Sequence, residues 1–213
     1  MKYGVLNGYS PRLIEKGRMT VAAFLKQEGY HTACLGKWHV GMDWPQNDGG
    51  APGNSANPKK IDYLQPIQGG PTAVGFDSFF GISASLDMPP YVWLANDRAT
   101  AVPTATIGDS PVPKLWRGGP IGPDFKMEDV QPRLIATALD YLAERAAAKD
   151  GKPFFLYFGF NQPHRPYASE VDRTRFDPAK LKLPPDYPDL PEVRTDYAQY
   201  LTSVLDLDRG FGL

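Results

Sequence analysis

The chain has 213 residues, a formal net charge of −1 and a single cysteine, Cys34. That length suits one domain or two small ones, and the apolar content supplies a sizeable core. Near-zero charge gives no electrostatic footprint for nucleic acid or a membrane surface, one thiol excludes an internal disulfide but leaves the compartment open, and no run is long and apolar enough to span a bilayer. Residues 1–6 carry no signal-peptide core. Pro and Gly concentrate between residues 41 and 125, which implies a loop-rich middle.

Residues 1–19 read as irregular. Thr20 caps a helix in which Val21, Phe24 and Leu25 recur at helical spacing, and Gly29 supplies a left-handed stop. A β-type run over 31–36 follows, with Cys34 inside it and pointing into the core. The run ends in Gly36 and then presents Lys37 and His39. Residues two apart on an extended chain share a face, so the two would converge while Trp38 packs the other way. Lys37 is a fixed positive donor, and His39 exchanges a proton near neutral pH. A strand's C-terminal end is where open α/β sheets place their ligands, and an anion is the natural guest. On spacing alone, a solvated Lys beside a packed structural His accounts for the pair as well.

Residues 41–125 show no sustained periodicity, and a loop that long is functional or disordered. The aromatic and glycine content argues for order. Gly75-Phe76-Asp77-Ser78-Phe79-Phe80-Gly81 reads as turn, strand, turn. Asp97, Arg98 and Asp109 receive no role. A helix is predicted over 128–148, with Val130, Leu134, Ile135, Ala138, Leu139 and Leu142 on one face and Pro132 in its tolerant first turn. Asp150-Gly151 ends it. The apolar run from Pro153 to Phe160 is the signature of a strand buried on both faces. It breaks into Asn161-Gln162-Pro163-His164-Arg165-Pro166. That puts His164 at the sheet's C-terminal edge, beside Lys37 and His39 if the strands are parallel. His31 reads as a surface residue. A proline-rich excursion over 165–191 leads to a last helix with Tyr197, Tyr200, Leu201, Val204, Leu205 and Leu207 on its apolar side. The order of elements implies an α/β sandwich with a mostly parallel sheet.

Two strings resemble those of a known family. Gly29-Tyr30-His31-Thr32-Ala33-Cys34-Leu35-Gly36-Lys37-Trp38-His39-Val40-Gly41 looks like the second signature of the sulfatases, within the alkaline phosphatase superfamily. Phe154-Phe155-Leu156-Tyr157, followed by Pro163-His164-Arg165-Pro166, is similar to the family's Pro-His-x-Pro block. Asp206-x-Asp208-x-Gly210 resembles the helix after that block, where Asp208 reads as structural. The resemblance implies an alkaline phosphatase-like α/β/α sandwich, incomplete here. Residues 1–213 would be part of one catalytic domain truncated at both ends, and 41–125 a substrate-side insertion. It implies an arylsulfatase-type hydrolase acting on a small-molecule or carbohydrate sulfate ester, in a family typically periplasmic, secreted or lysosomal.

By the same resemblance Lys37 holds the sulfate and His39 is the base that collapses the sulfated intermediate. His164 hydrogen-bonds the sulfate or protonates the leaving group. Ser85 falls where some arylsulfatases place a polar contact to substrate, although a loop serine bonding its own backbone explains it equally well. Three family blocks are missing: an early strand ending in Asp-Asp, the Cys/Ser-x-Pro-Ser/Ala-Arg string whose first residue matures to formylglycine, and a late Asp-Asn/His-Gly. Ser10-Pro11-Arg12 is not the nucleophile string, because its Ser adjoins the Pro. Calcium is expected for the complete family domain, but its ligands and the formylglycine precursor are absent from this chain, and a hard cation needs several oxygens. Two other readings stay open. One is a non-catalytic remnant or subdomain with an oxyanion-binding half-site. The other is a phosphodiester or phosphonate hydrolase of the same superfamily, against which the Trp in Gly-Lys-Trp-His favours a sulfatase.

Overall fold

The computed structural model describes residues 8–110, 116–164 and 175–212. Thr20 accepts a hydrogen bond from the Ala23 N–H at 3.0 Å, capping α1 (Val21–Gln27), and Gly29 turns the chain out of it at φ +85°. The buried side of α1 is not the predicted one. Val21 and Phe24 stay exposed, and Ala22 is fully buried. The cause is a backbone approach: a Cβ on Gly75 would lie 2.3 Å from the Ala23 nitrogen. The small residues must therefore face inward.

β1 (His31–Lys37) is the middle of three parallel strands. It runs parallel to β2 (Ser78–Ile82) on one side. On the other it runs parallel to the strand Phe154–Gly159, the last in the chain. Two short antiparallel strands, β3 (Leu94–Ala95) and β4 (Arg98–Ala99), extend the sheet beyond β2. A separate antiparallel pair is formed by β5 (Ala105–Ile107) and β6 (Gly119–Ile121). With Phe154–Gly159 as β7, the sheet order is β4-β3-β2-β1-β7. The stretch 41–125 thus supplies β2, β3 and β4 to the central sheet and the whole of the β5–β6 pair, and otherwise winds through short turns and isolated bridges.

One apolar cluster gathers Cys34, Trp38, Trp44, Phe76, Phe79 and Leu94. Burial pushes the Cys34 thiol up to about 12, which leaves it an inert core residue. A second cluster gathers Ile82, Tyr91, Trp93, Phe125, Val130 and Leu134. The last two belong to α2 (Val130–Ala148), which carries Pro132 in its first turn. From the same helix Arg133 lies over the Trp93 ring at 4.7 Å and the Phe80 ring at 5.2 Å. α3 (Pro191–Phe211) closes the chain.

Two burial expectations are corrected. β7 is not buried on both faces: Phe154 and Tyr157 are 43% and 44% exposed. Among the described residues it pairs with β1 alone, so it is an edge strand. The apolar face of α2 is also only half covered, with Leu139 and Leu142 exposed beyond buried Val130, Leu134 and Ala138.

Candidate active site

β1 stops where Gly36 adopts φ +100°, and a Cβ there would sit 2.1 Å from the Gly159 carbonyl oxygen. Only glycine meets both demands. Gly36 is in register with Gly81 of β2 and Gly159 of β7, so a row without side chains crosses the three parallel strands just before Lys37. Beyond it the chain stays beside the segment following β2. The Trp38 N–H donates to the Ile82 carbonyl, and the His39 N–H donates to the Ser83 carbonyl, both at 3.0 Å.

Trp38 turns inward as predicted, 6% exposed, with its ring edge-on to Phe76. His39 does not follow the extended path. Its φ is +51°, so simple strand alternation does not describe how it reaches Lys37. The pinned segment delivers Ser85 instead. Ser85 is buried, and its hydroxyl accepts from Lys37 Nζ at 3.4 Å. A small cleft runs along this segment, lined by Ser83, Ser85, Leu86, Met88 and Tyr91.

His164 arrives on a turn after β7, closed by its N–H to the Asn161 carbonyl at 3.2 Å. The Arg165-Pro166 end of that motif lies outside the described residues. Because β7 is parallel to β1, both turns leave the same edge of the sheet. Burial lowers the pKa of His39 below its usual 6.5, the Lys37 and His164 cations lower it further, and Asp87 works in the opposite direction. Burial also lowers Lys37 from its usual 10.5, again opposed by Asp87.

Asp87, Arg117 and Tyr9 were not picked out by the sequence. Arg117 Nη2 lies 3.6 Å from Asp87 Oδ2, while Asp87 Oδ1 is buried with no hydrogen-bond partner among the described residues. Tyr9 hydrogen-bonds Arg117, and burial raises its phenol. The turn carrying it leans on the site, since a Cβ at Gly8 would lie 2.7 Å from His39 Nε2. The one available signal was an acid two residues after Ser85. Nothing in the pattern pairs it with an arginine in a later loop.

Other polar groups have structural partners. His31, at the far end of β1, bonds Asp150 at 2.7 Å. Arg12 pairs with Asp43 at 3.0 Å. Asp206 pairs with Arg175 at 2.6 Å. Among the described residues no group of three or more His, Cys, Asp or Glu stands close enough to hold a metal ion. The residues present do not fit the calcium that the family resemblance implies. No helix among them is long and apolar enough to cross a membrane.

A half-buried Lys37, the buried Ser85 hydroxyl and the imidazoles of His39 and His164 thus stand at the C-terminal edge of a parallel sheet, where open α/β sheets place their ligands. The sulfatase family model matches residues 1–212, and the chain belongs to the sulfatase family. It is 25% identical over 197 residues to an N-acetylgalactosamine-6-O-sulfatase of Bacteroides thetaiotaomicron, a match covering 76% of this chain and 35% of that protein. It is 30% identical over 158 residues to human arylsulfatase A, covering 71% of this chain and 26% of the relative. The chain therefore spans about a third or less of these relatives. Two structures from work on glycosaminoglycan metabolism by B. thetaiotaomicron share the fold. Their TM-scores are 0.56 and 0.59 at 21% and 18% identity, and the matches cover 97% of this chain and 45% and 39% of theirs.

Proposed function

We propose that this chain carries the sulfate-holding side of a sulfuric ester hydrolase site, built from Lys37, Ser85, His39 and His164. The observation that carries it is the Lys37–Ser85 contact at 3.4 Å, at the same sheet edge as two electrostatically coupled histidines.

Each residue has a task its chemistry supports. The Lys37 ammonium and the Ser85 hydroxyl donate to sulfate oxygens, where charge builds during S–O cleavage. His39, kept largely neutral near pH 7 by burial and neighbouring cations, takes up a proton. His164 donates to the sulfate or to the departing oxygen. Lys37 and the histidines also favour the ester's fixed negative charge over a neutral guest. The attacking group is not among these 213 residues, since no Cys/Ser-x-Pro-Ser/Ala-Arg string occurs in them. No step is assigned to a metal. The guest is a small-molecule or carbohydrate sulfate ester, in keeping with the substrates named for relatives.

The test is turnover of a chromogenic aryl sulfate by the chain joined to the family's missing blocks. Lys37→Ala or His164→Ala should lower kcat by about two orders of magnitude, the usual loss for one electrostatic donor. Near-native turnover in either variant contradicts the assignment.

A further inference from the structure

We propose that Asp87 is a positioning residue that acts through His39, its carboxylate acting as the counter-ion that sustains the proton-accepting capacity of the imidazole. The inference rests on the reading of His39 as the site's base.

Asp87 lies in the turn that delivers Ser85, closed by the Met88 N–H to the Ser85 carbonyl at 3.0 Å. Ser85 meets Lys37 Nζ at 3.4 Å, and on the other side of the turn Met88 stands near His39, since a Cβ on Gly8 would lie 2.0 Å from Met88 Sδ and 2.7 Å from His39 Nε2. Arg117 lies 3.6 Å from the Asp87 carboxylate. The carboxylate is mostly covered, with a quarter of its side chain exposed, and its Oδ1 has no hydrogen-bond partner among the described residues. A charge left so poorly satisfied in a covered position is expensive, and the long Arg117 contact is weak recompense. Such a group persists where its field is useful.

The field here falls on His39. Of the groups acting on that imidazole, burial, Lys37 and His164 all favour the neutral form. Asp87 is the one that favours the proton. The same carboxylate acts on Lys37 in the same sense. Arg117 in turn sets how much of its field is felt, because a cation beside Asp87 screens it. Tyr9 and Tyr91 also face the carboxylate, and both phenols are raised by burial. They stay neutral across the range in which His39 titrates.

The sequence contains three histidines, so imidazole NMR signals resolve one titration each. The experiment follows His39 through pH in the 213-residue chain and in two variants of opposite sign. Asp87→Asn removes the anion and should move the His39 midpoint down by about 0.5 units or more. Arg117→Met unmasks the anion and should move it up. His31, at the far end of β1, should stay in place, and Asp87→Glu should restore most of the wild-type midpoint. Any common loss of structure would drive both variants the same way. Midpoints that coincide in wild type and Asp87→Asn, or that shift in one direction in both variants, overturn the proposal. Sulfate titration of the same samples separates the two readings. A chain that binds no sulfate defeats the proposed function even if Asp87 still governs His39. A chain that binds sulfate with an unresponsive His39 defeats the role of Asp87 alone.

Discussion

Lys37 and His39, the residues proposed to carry the chemistry, are both held in surroundings that disfavour their charge. For an imidazole with a lowered pKa, the folded state binds fewer protons than the unfolded chain between the lowered value and 6.5. His39 therefore adds stability above that window and withdraws it as pH falls through it. An anion reverses the preference by favouring the protonated ring. Affinity for inorganic sulfate should rise on acidification with a midpoint below pH 6.5, as isothermal titration across pH 5–8 would read. A flat profile would remove His39 from the site. The glycine beneath this pair is equally specific. Gly36→Ala combines a left-handed φ with a 2.1 Å backbone collision. It should cost about 2 kcal/mol or more in denaturant unfolding, whereas an effect near zero would mean the strand end relaxes freely. The Gly-Lys-Trp-His string marked this place. Asp87, Arg117 and Tyr9 escaped notice because their meeting depends on loops folding back, which leaves no periodic trace.

At the scale of elements, the short helix α1 is fixed to the sheet by polar groups more than by apolar area. Lys26 reaches Asp77 at 2.7 Å, and Asp77 in turn accepts from the Thr32 N–H at 2.9 Å and the Thr32 hydroxyl at 3.0 Å. Burial is the largest single influence and raises the Asp77 carboxyl, but the Lys26 and Thr32 donors together outweigh it and leave the pKa below its usual value. Removing the acceptor strands donors of Thr32, which is 1% exposed. Asp77→Ala should destabilise by about 1–3 kcal/mol, and thermal unfolding at fixed pH would measure it. The Thr20 cap and the Gly29 stop of α1 were legible because caps are local chemistry. Its buried face was not, since the approach of Gly75 selected Ala22 over the larger residues. β7 shows the same division. Its strand character and parallel pairing follow from its apolar run, but its burial depends on what lies beside it.

For the whole molecule, the parallel core β2-β1-β7 places the turns after β1 and β7 at one edge. Order along the chain was enough to anticipate that, once both strands were taken as parallel. The antiparallel β3 and β4 were not anticipated, because strands of two residues are too short to carry alternation. Exposed Phe154 and Tyr157 on β7, with Leu139 and Leu142 on α2, are apolar surface that the described residues leave uncovered. At the sheet edge stand Lys37, Ser85, His39 and His164, the groups proposed to hold an oxyanion. The measurement that tests this most directly is titration of the chain with inorganic sulfate, read at the three imidazoles. The account predicts that the His39 and His164 signals move together and saturate, that His31 stays still, and that Lys37→Ala abolishes the response. Folded protein in which neither site imidazole moves, or in which His31 moves as much as they do, would contradict it.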